Sequence, residues 1–199
     1  MGHREDLLVG AVACLREKGY ARTTARDIVA ASGTNLGSIG YHYGSLEALL
    51  NAAVLAAIEE WGAQLTSVML TGVDPAAPFP ERFEQYWAAV LATFGEYRQV
   101  WAASIDLFGV AGRVPEVRAA IADGLQDGRM AWAQLLHGID PEAEPVKAQA
   151  VGSLHQALLS GVLVQWVVDP DRAPSASDLA AALRAIAADM APAPDASSA

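Results

Sequence analysis

The sequence is poor in cysteine, histidine and bases: one Cys, four His, and 13 Lys and Arg against 23 Asp and Glu, for a formal net charge of −10 over 199 residues. A single thiol, Cys14, excludes an intrachain disulfide and a cysteine-rich zinc site. The histidines (His3, His42, His137, His155) are scattered, and no HExxH, CxxC, GxSxG or Walker-type loop occurs. No nucleophile therefore has a local base, and we expect neither an enzyme nor a metal or other cofactor. The shortage of bases, taken over the whole chain, argues against phosphate-rich partners, because neutralising phosphates takes Lys and Arg. The first residues lack the apolar run of a signal peptide, so a reduced cytoplasmic protein is expected. Strand-type alternation is also missing. With 53% hydrophobic and 18% charged residues, a disordered chain is excluded.

Dividing the charge changes its meaning. Residues 1–50 carry five bases (Arg4, Arg16, Lys18, Arg22, Arg26) and five acids, whereas residues 51–199 hold eight bases and eighteen acids. A neutral head on an acidic body is compatible with a polyanion partner at the N-terminal end alone.

Helical spacing dominates. Leu8, Ala11, Val12 and Leu15 form the stripe of a first helix that ends at Gly19. Thr23 and Thr24 offer caps for a short second helix containing Asp27, Ile28 and Val29 and ending near Ser32-Gly33. Thr34 or Asn35 caps a third, with Leu36, Ile39 and Tyr43 on one face and Asn35, Ser38 and His42 on the other. Ser45 caps a fourth, long enough to link a head to a body, that runs to about Leu70. A Pro-rich break follows, and then stripes over Phe83–Phe94, Val100–Phe108 and Val117–Leu136. Residues 148–168 carry no charge and could cross a bilayer by length. Gln149, Ser153, His155, Gln156 and Gln165 argue against insertion, so a helix buried in protein on most sides, and no membrane partner, is expected. Leu179, Leu183, Ile186 and Met190 mark a last helix. The chain thus predicts an all-α fold of about nine helices: a three-helix head (1–50), a body (51–190) and a disordered tail (191–199).

Two short helices joined by Gly33-Thr34-Asn35 and packed by a preceding helix have the arithmetic of a helix-turn-helix. In such a unit one face of the second helix is presented to a groove about one helix wide. The stretch TTARDIVAASGTNLGSIGYHYGSLEALL, over roughly residues 5–55, resembles the DNA-binding domain of TetR-family transcriptional regulators. The matching positions are Gly19-Tyr20, Thr23-Thr24, Ile28-Val29-Ala30, Gly33, Asn35, Gly37, Ile39, His42-Tyr43 and Glu47. Two departures stand out: Gly40 replaces a usual Tyr and Leu46 a usual Lys, removing a backbone-contacting ring and a phosphate contact. Tyr41 is the expected substitute for the ring.

The resemblance implies a sequence-specific regulator acting as a repressor: a homodimer on a palindromic double-stranded operator, released by a small apolar or aromatic effector. The expected DNA-contacting residues are Thr24, Thr34, Asn35, Leu36, Ser38, Tyr41, His42 and the Leu46 position, with Leu36 also fitting a core role. The body is rich in aromatics, and large apolar pockets with few polar groups are the usual ligand sites. Trp61, Tyr86, Trp87, Thr93, Trp101, Ser104, Phe108 and Trp132 are the candidate effector contacts, with Asp106 and His137 as further orienting groups; plain core packing is the competing role for the aromatics. His155 fits an interface or the core better than a ligand contact. Leu154, Leu158, Val162, Trp166 and Leu183 are the candidate dimer interface, and a fully buried central helix in a monomer is the other possibility. The departures at Gly40 and Leu46 leave a second function open: a helical interaction protein that keeps the fold without operator binding.

Overall fold

The chain is described by a computed structural model covering residues 2–74 and 76–190. The tail expected to be disordered, 191–199, lies outside the described residues. Among these, the fold is all α: α1 (His3–Lys18), α2 (Ala25–Ser32), α3 (Leu36–Tyr43), α4 (Leu46–Gly72), α5 (Phe79–Thr93), α6 (Arg98–Ala111), α7 (Pro115–His137), α8 (Pro145–Val168) and α9 (Ala176–Met190), with one 3-10 turn at Tyr20–Arg22.

Local chemistry sets the head. Thr24 and Asp27 form a capping box: the Thr24 hydroxyl accepts from the Asp27 amide, while the Asp27 carboxylate accepts from the Thr24 amide at 2.9 Å. Each satisfies a backbone donor that the first turn of α2 leaves over. Lys18 pairs with the same carboxylate at 2.6 Å, and together these donors hold Asp27 well below the usual carboxylate range. Gly33 sits at φ 66°, a left-handed conformation that a side chain would strain, and so ends α2. Asn35 Oδ1 then accepts from the Ser38 amide at 3.1 Å and starts α3. The inward residues Leu7, Ala11, Leu15, Ile28, Ile39, Leu49 and Leu50 belong to one continuous core.

α4 leaves the head and packs in turn on α6, α7 and α5. A second tie joins head to body. Arg16 of α1 donates to the Tyr97 hydroxyl at 3.1 Å, and that hydroxyl donates to Gln64 Oε1 of α4 at 2.6 Å. Tyr97 stands just before α6 and is 2% exposed.

In the body, α8 packs on α7 and α9 on α5. Two expectations need correcting. α8 is long and apolar enough to cross a membrane, but it is not buried on most sides. Only Ala148, Gly152, His155, Leu159 and Val162 are buried, one stripe at three- and four-residue spacing. At Gly152 the helices approach so closely that an added Cβ would overlap the Arg129 carbonyl of α7. The alternative of a fully buried central helix is thereby overturned. On α6 the inward face is Val100, Trp101, Ser104 and Leu107; Phe108, one position further round the helix, is 54% exposed.

Candidate functional site

The head presents one unpaired helix face. Leu36 is 54% and Tyr41 85% exposed, and Gly37 and Gly40 lie exposed between them. No Asp, Glu, Lys or Arg occurs on α3. The outward face therefore consists of Leu36, Gly37, Gly40 and Tyr41, and shares Tyr41 but not Ser38 or His42 with the expected face of Asn35, Ser38, Tyr41 and His42. The reason is rotation: Ile39 is buried in the core that α3 shares with α1, α2 and α4, and Ser38 turns inward beside it, at 9% exposure. Leu36 is correspondingly corrected from core to surface. Nothing lies within 4 Å of a Cβ built at Gly40, so the glycine leaves open space where a side chain would project.

The remaining expected contacts divide by what already occupies them. Thr24 is exposed, with its hydroxyl engaged by Asp27. Asn35 is exposed with its carbonyl oxygen committed to capping, and the Thr34 hydroxyl bonds Ser32 at 2.7 Å. His42 is half-buried with its ring 4.8 Å from Tyr41, edge to face. Tyr43 closes the head by donating to the Arg4 carbonyl at 2.8 Å. Leu46 is half-buried and packs against the core, so its side chain is not offered to a phosphate.

The body holds two linked aromatic groups. In the first, Trp61 and Trp101 meet edge to face at 4.8 Å, Trp61 Nε1 donates to the Thr93 hydroxyl at 2.8 Å, and the Ser104 hydroxyl donates to the Trp101 carbonyl. In the second, Tyr86 lies 4.5 Å from Trp132, Trp87 stacks on Trp132 at 5.8 Å, and His155 stacks on its ring at 5.6 Å. Burial pushes the Tyr86 phenol far up, so it is a neutral donor at any working pH. His137 Nε2 and His155 Nε2 are 2.7 Å apart. Burial is the main cause that lowers both rings, His155 to about 4. Trp87 Nε1, Trp101 Nε1 and His155 Nδ1 are buried without a hydrogen-bond partner, and such groups are costly in an apolar core. Of the expected effector contacts, Trp61, Tyr86, Trp87, Thr93, Trp101, Ser104 and Trp132 lie in these two groups. Phe108 and Asp106 do not, since both face outward.

Comparison with protein families places a match to bacterial regulatory proteins of the tetR family on residues 7–53, the head just described. A match to the tetracyclin repressor-like C-terminal domain covers residues 78–189. The chain belongs to the TetR family of bacterial regulatory proteins. Comparison with curated protein sequences returns no match. Solved structures share the fold: the multidrug binding protein EbrR complexed with proflavin is 21% identical, with 93% of this chain and 99% of that one aligned at a TM-score of 0.64. A transcriptional regulator from Rhodococcus sp. Rha1 is 16% identical, with 95% and 99% aligned at 0.62.

Two surface clefts open among the described residues of this TetR-family chain; of the expected effector residues, the orienting His137 lines one, and the aromatic candidates line neither. One, of about 450 Å³, lies where the start of α4 meets the start of α7, between Asn51, Leu55 and Val117. The other, of about 390 Å³, opens at the end of α7 beside Arg82 and His137. Of the expected interface residues, Leu154 is 57% exposed, while Leu158, Trp166 and Leu183 are half-buried. Val162 is corrected: at 3% exposure it belongs to the core of its own protomer. The sequence pattern missed Val146, Val164, Val168 and Met190 as further exposed apolar groups on α8 and α9. It also missed Arg82, whose only sequence signal is a base inside an aromatic stripe.

Proposed function

We propose that this TetR-family regulator is a homodimeric, cytoplasmic repressor that binds a palindromic operator through α2 and α3 and leaves it when a small aromatic effector enters the body. The single observation that carries the operator reading is the outward face of α3. It is free of carboxylates and narrow at Gly37 and Gly40, and it ends in two apolar side chains able to reach base edges. Leu36 suits a thymine methyl, and Tyr41 a base edge or a phosphate. The division of labour falls inside α4, near residue 50. Dimerisation is supported by the apolar residues left exposed on α8 and α9, Val146, Leu154, Val164, Val168, Ile186 and Met190. The effector reading rests on buried donors without partners inside an aromatic core, and EbrR, of the same fold, was solved with proflavin.

The second function, a helical protein that keeps the fold without operator binding, is favoured by Leu46 packing into the core. Selection of bound fragments from random-sequence DNA, followed by fluorescence anisotropy, separates the two. Enrichment of a palindrome with half-sites about one helical turn apart supports the operator. Absence of any selective fragment at low salt leaves the second function standing.

A further inference from the structure

The cleft where the start of α4 meets the start of α7 is lined by two carboxylates, Glu47 and Glu116, and by no base. On α4 its wall is Glu47, Asn51 and Leu55, a stripe at four-residue spacing that passes from acid to amide to aliphatic. Glu116 stands on the α7 side, beside Val114 and Val117. Both acids are exposed, and the ion pairs among the described residues include neither. Each lies in the first turn of its helix, an ordinary place for an acid because the positive end of the helix favours it. That end carries roughly half a charge, so the two ends together offset about one of the two negative charges. About one negative charge is left over, above an aliphatic wall.

Asn51 adds an independent sign of a ligand. It is 5% exposed, and its Oδ1 accepts from the Tyr20 hydroxyl at 2.8 Å, which fixes one end of the amide. Its Nδ2 makes no hydrogen bond among the described residues, and it is not one of the unpaired atoms sealed in the core, so it opens on the cleft that Asn51 lines. A nearly buried donor left without an acceptor is costly, and what fills the cleft can supply one. The field here is negative: burial first, then Glu47 and Asp106, hold the Tyr20 phenol above its ordinary value, and no base is among the groups that act on it. A bare metal ion fits poorly, since no group of three metal-ligating side chains gathers among the described residues.

We propose that this cleft binds a small organic monocation, with its ammonium at Glu47 and Glu116, an acceptor oxygen on Asn51 Nδ2 and an apolar body against Leu55, Val114 and Val117. The volume of about 450 Å³ lies within the range of small-molecule sites. An ammonium suits the place because it consists only of donors, and hydrogen bonds to charged partners are the strong ones. The site is separate from the buried aromatic groups to which the effector reading refers, and it stands whether or not that reading does.

The test uses the full chain and a matched set of three probes, titrated by calorimetry. These are 2-phenoxyethylamine, 2-phenoxyethanol, which lacks the charge, and 3-phenylpropylamine, which lacks the oxygen; a second set carries naphthyl in place of phenyl. At least one ether amine is expected to bind, with its alcohol weaker by tenfold or more and its methylene analogue by threefold or more. Glu47→Gln and Glu116→Gln are each expected to lower the preference for amine over alcohol, and the double variant to erase it; circular dichroism checks that each variant folds. An amine preference that survives the double variant places the cation elsewhere and overturns the proposal. Equal binding of amine and alcohol, no binding by any amine, or methylene analogues that bind as tightly as the ethers overturn it too.

Discussion

His137 Nε2 and His155 Nε2 face one another at 2.7 Å, so one ring must donate and the other accept, and a single hydrogen lies between a half-buried base and a buried one. An added proton would make one ring a cation in poorly solvated surroundings, beside Arg82 and Lys147, which already press on His137. The folded-state values are depressed, His155 to about 4, whereas an unfolded histidine titrates near 6.5. The unfolded chain therefore binds more protons in this window. The stability due to the pair is complete above about pH 6.5 and is lost as pH falls toward 4, by roughly 3 kcal/mol. Thermal melts between pH 7.5 and 4.5 should show this slope, and His155→Phe should flatten it. A wild-type melt that does not move over that range would contradict the buried pair.

Gly152 lets α8 lie against the Arg129 carbonyl. Gly152→Ala must push two helix backbones apart, and overpacking of this kind costs about 1–3 kcal/mol. The melting temperature should fall, and an unchanged value would mean that the two helices separate freely.

Leu36→Ala and Tyr41→Ala remove the two side chains that project from α3 and should each weaken operator binding by about 1–3 kcal/mol. Ser38→Ala, at a buried position, should leave DNA affinity within about twofold, provided the fold holds. Anisotropy titrations compare the three, and a dominant Ser38 effect would refute the assigned face.

Leu46→Lys restores a base at the start of α4. Its long stem can follow the core while the ammonium reaches solvent. Operator affinity should rise, and the log–log salt slope should steepen by about 0.9 per head. An unaltered slope would place the start of α4 away from the DNA backbone.

Leu154 projects from α8 at 57% exposure. Leu154→Glu should convert the dimer to monomer at micromolar concentration in light scattering while leaving the monomer's melt nearly unchanged. Persistence of the dimer would move the interface elsewhere.

Much of this architecture was legible in the residues because its signals are local. Caps at Thr24, Asn35 and Ser45 and the left-handed Gly33 follow from short-range chemistry, and they placed the head helices to within a residue or two. The rotation of short helices was less legible. On eight-residue α3, Leu36 and Ser38 exchange inside for outside according to which neighbour Ile39 meets, and that is a tertiary fact. On α6 the same ambiguity misplaced Phe108 by one position. The histidine pair joins residues 18 apart on different helices, and no spacing rule announces such a bond. The aromatic grouping was visible as composition, whereas its division around Trp101 and Trp132 depended on packing.

The Tyr97 hydroxyl, held between Arg16 and Gln64, gives the head two anchors where the chain itself provides one. A head hung from α4 alone could swing. Fastened also to the start of α6, four residues from Trp101, it turns only if α6 turns with it or if those bonds break. One buried hydroxyl thus makes α1, α4 and the start of α6 a single bracket, so that a shift of any one of the three is felt by the other two.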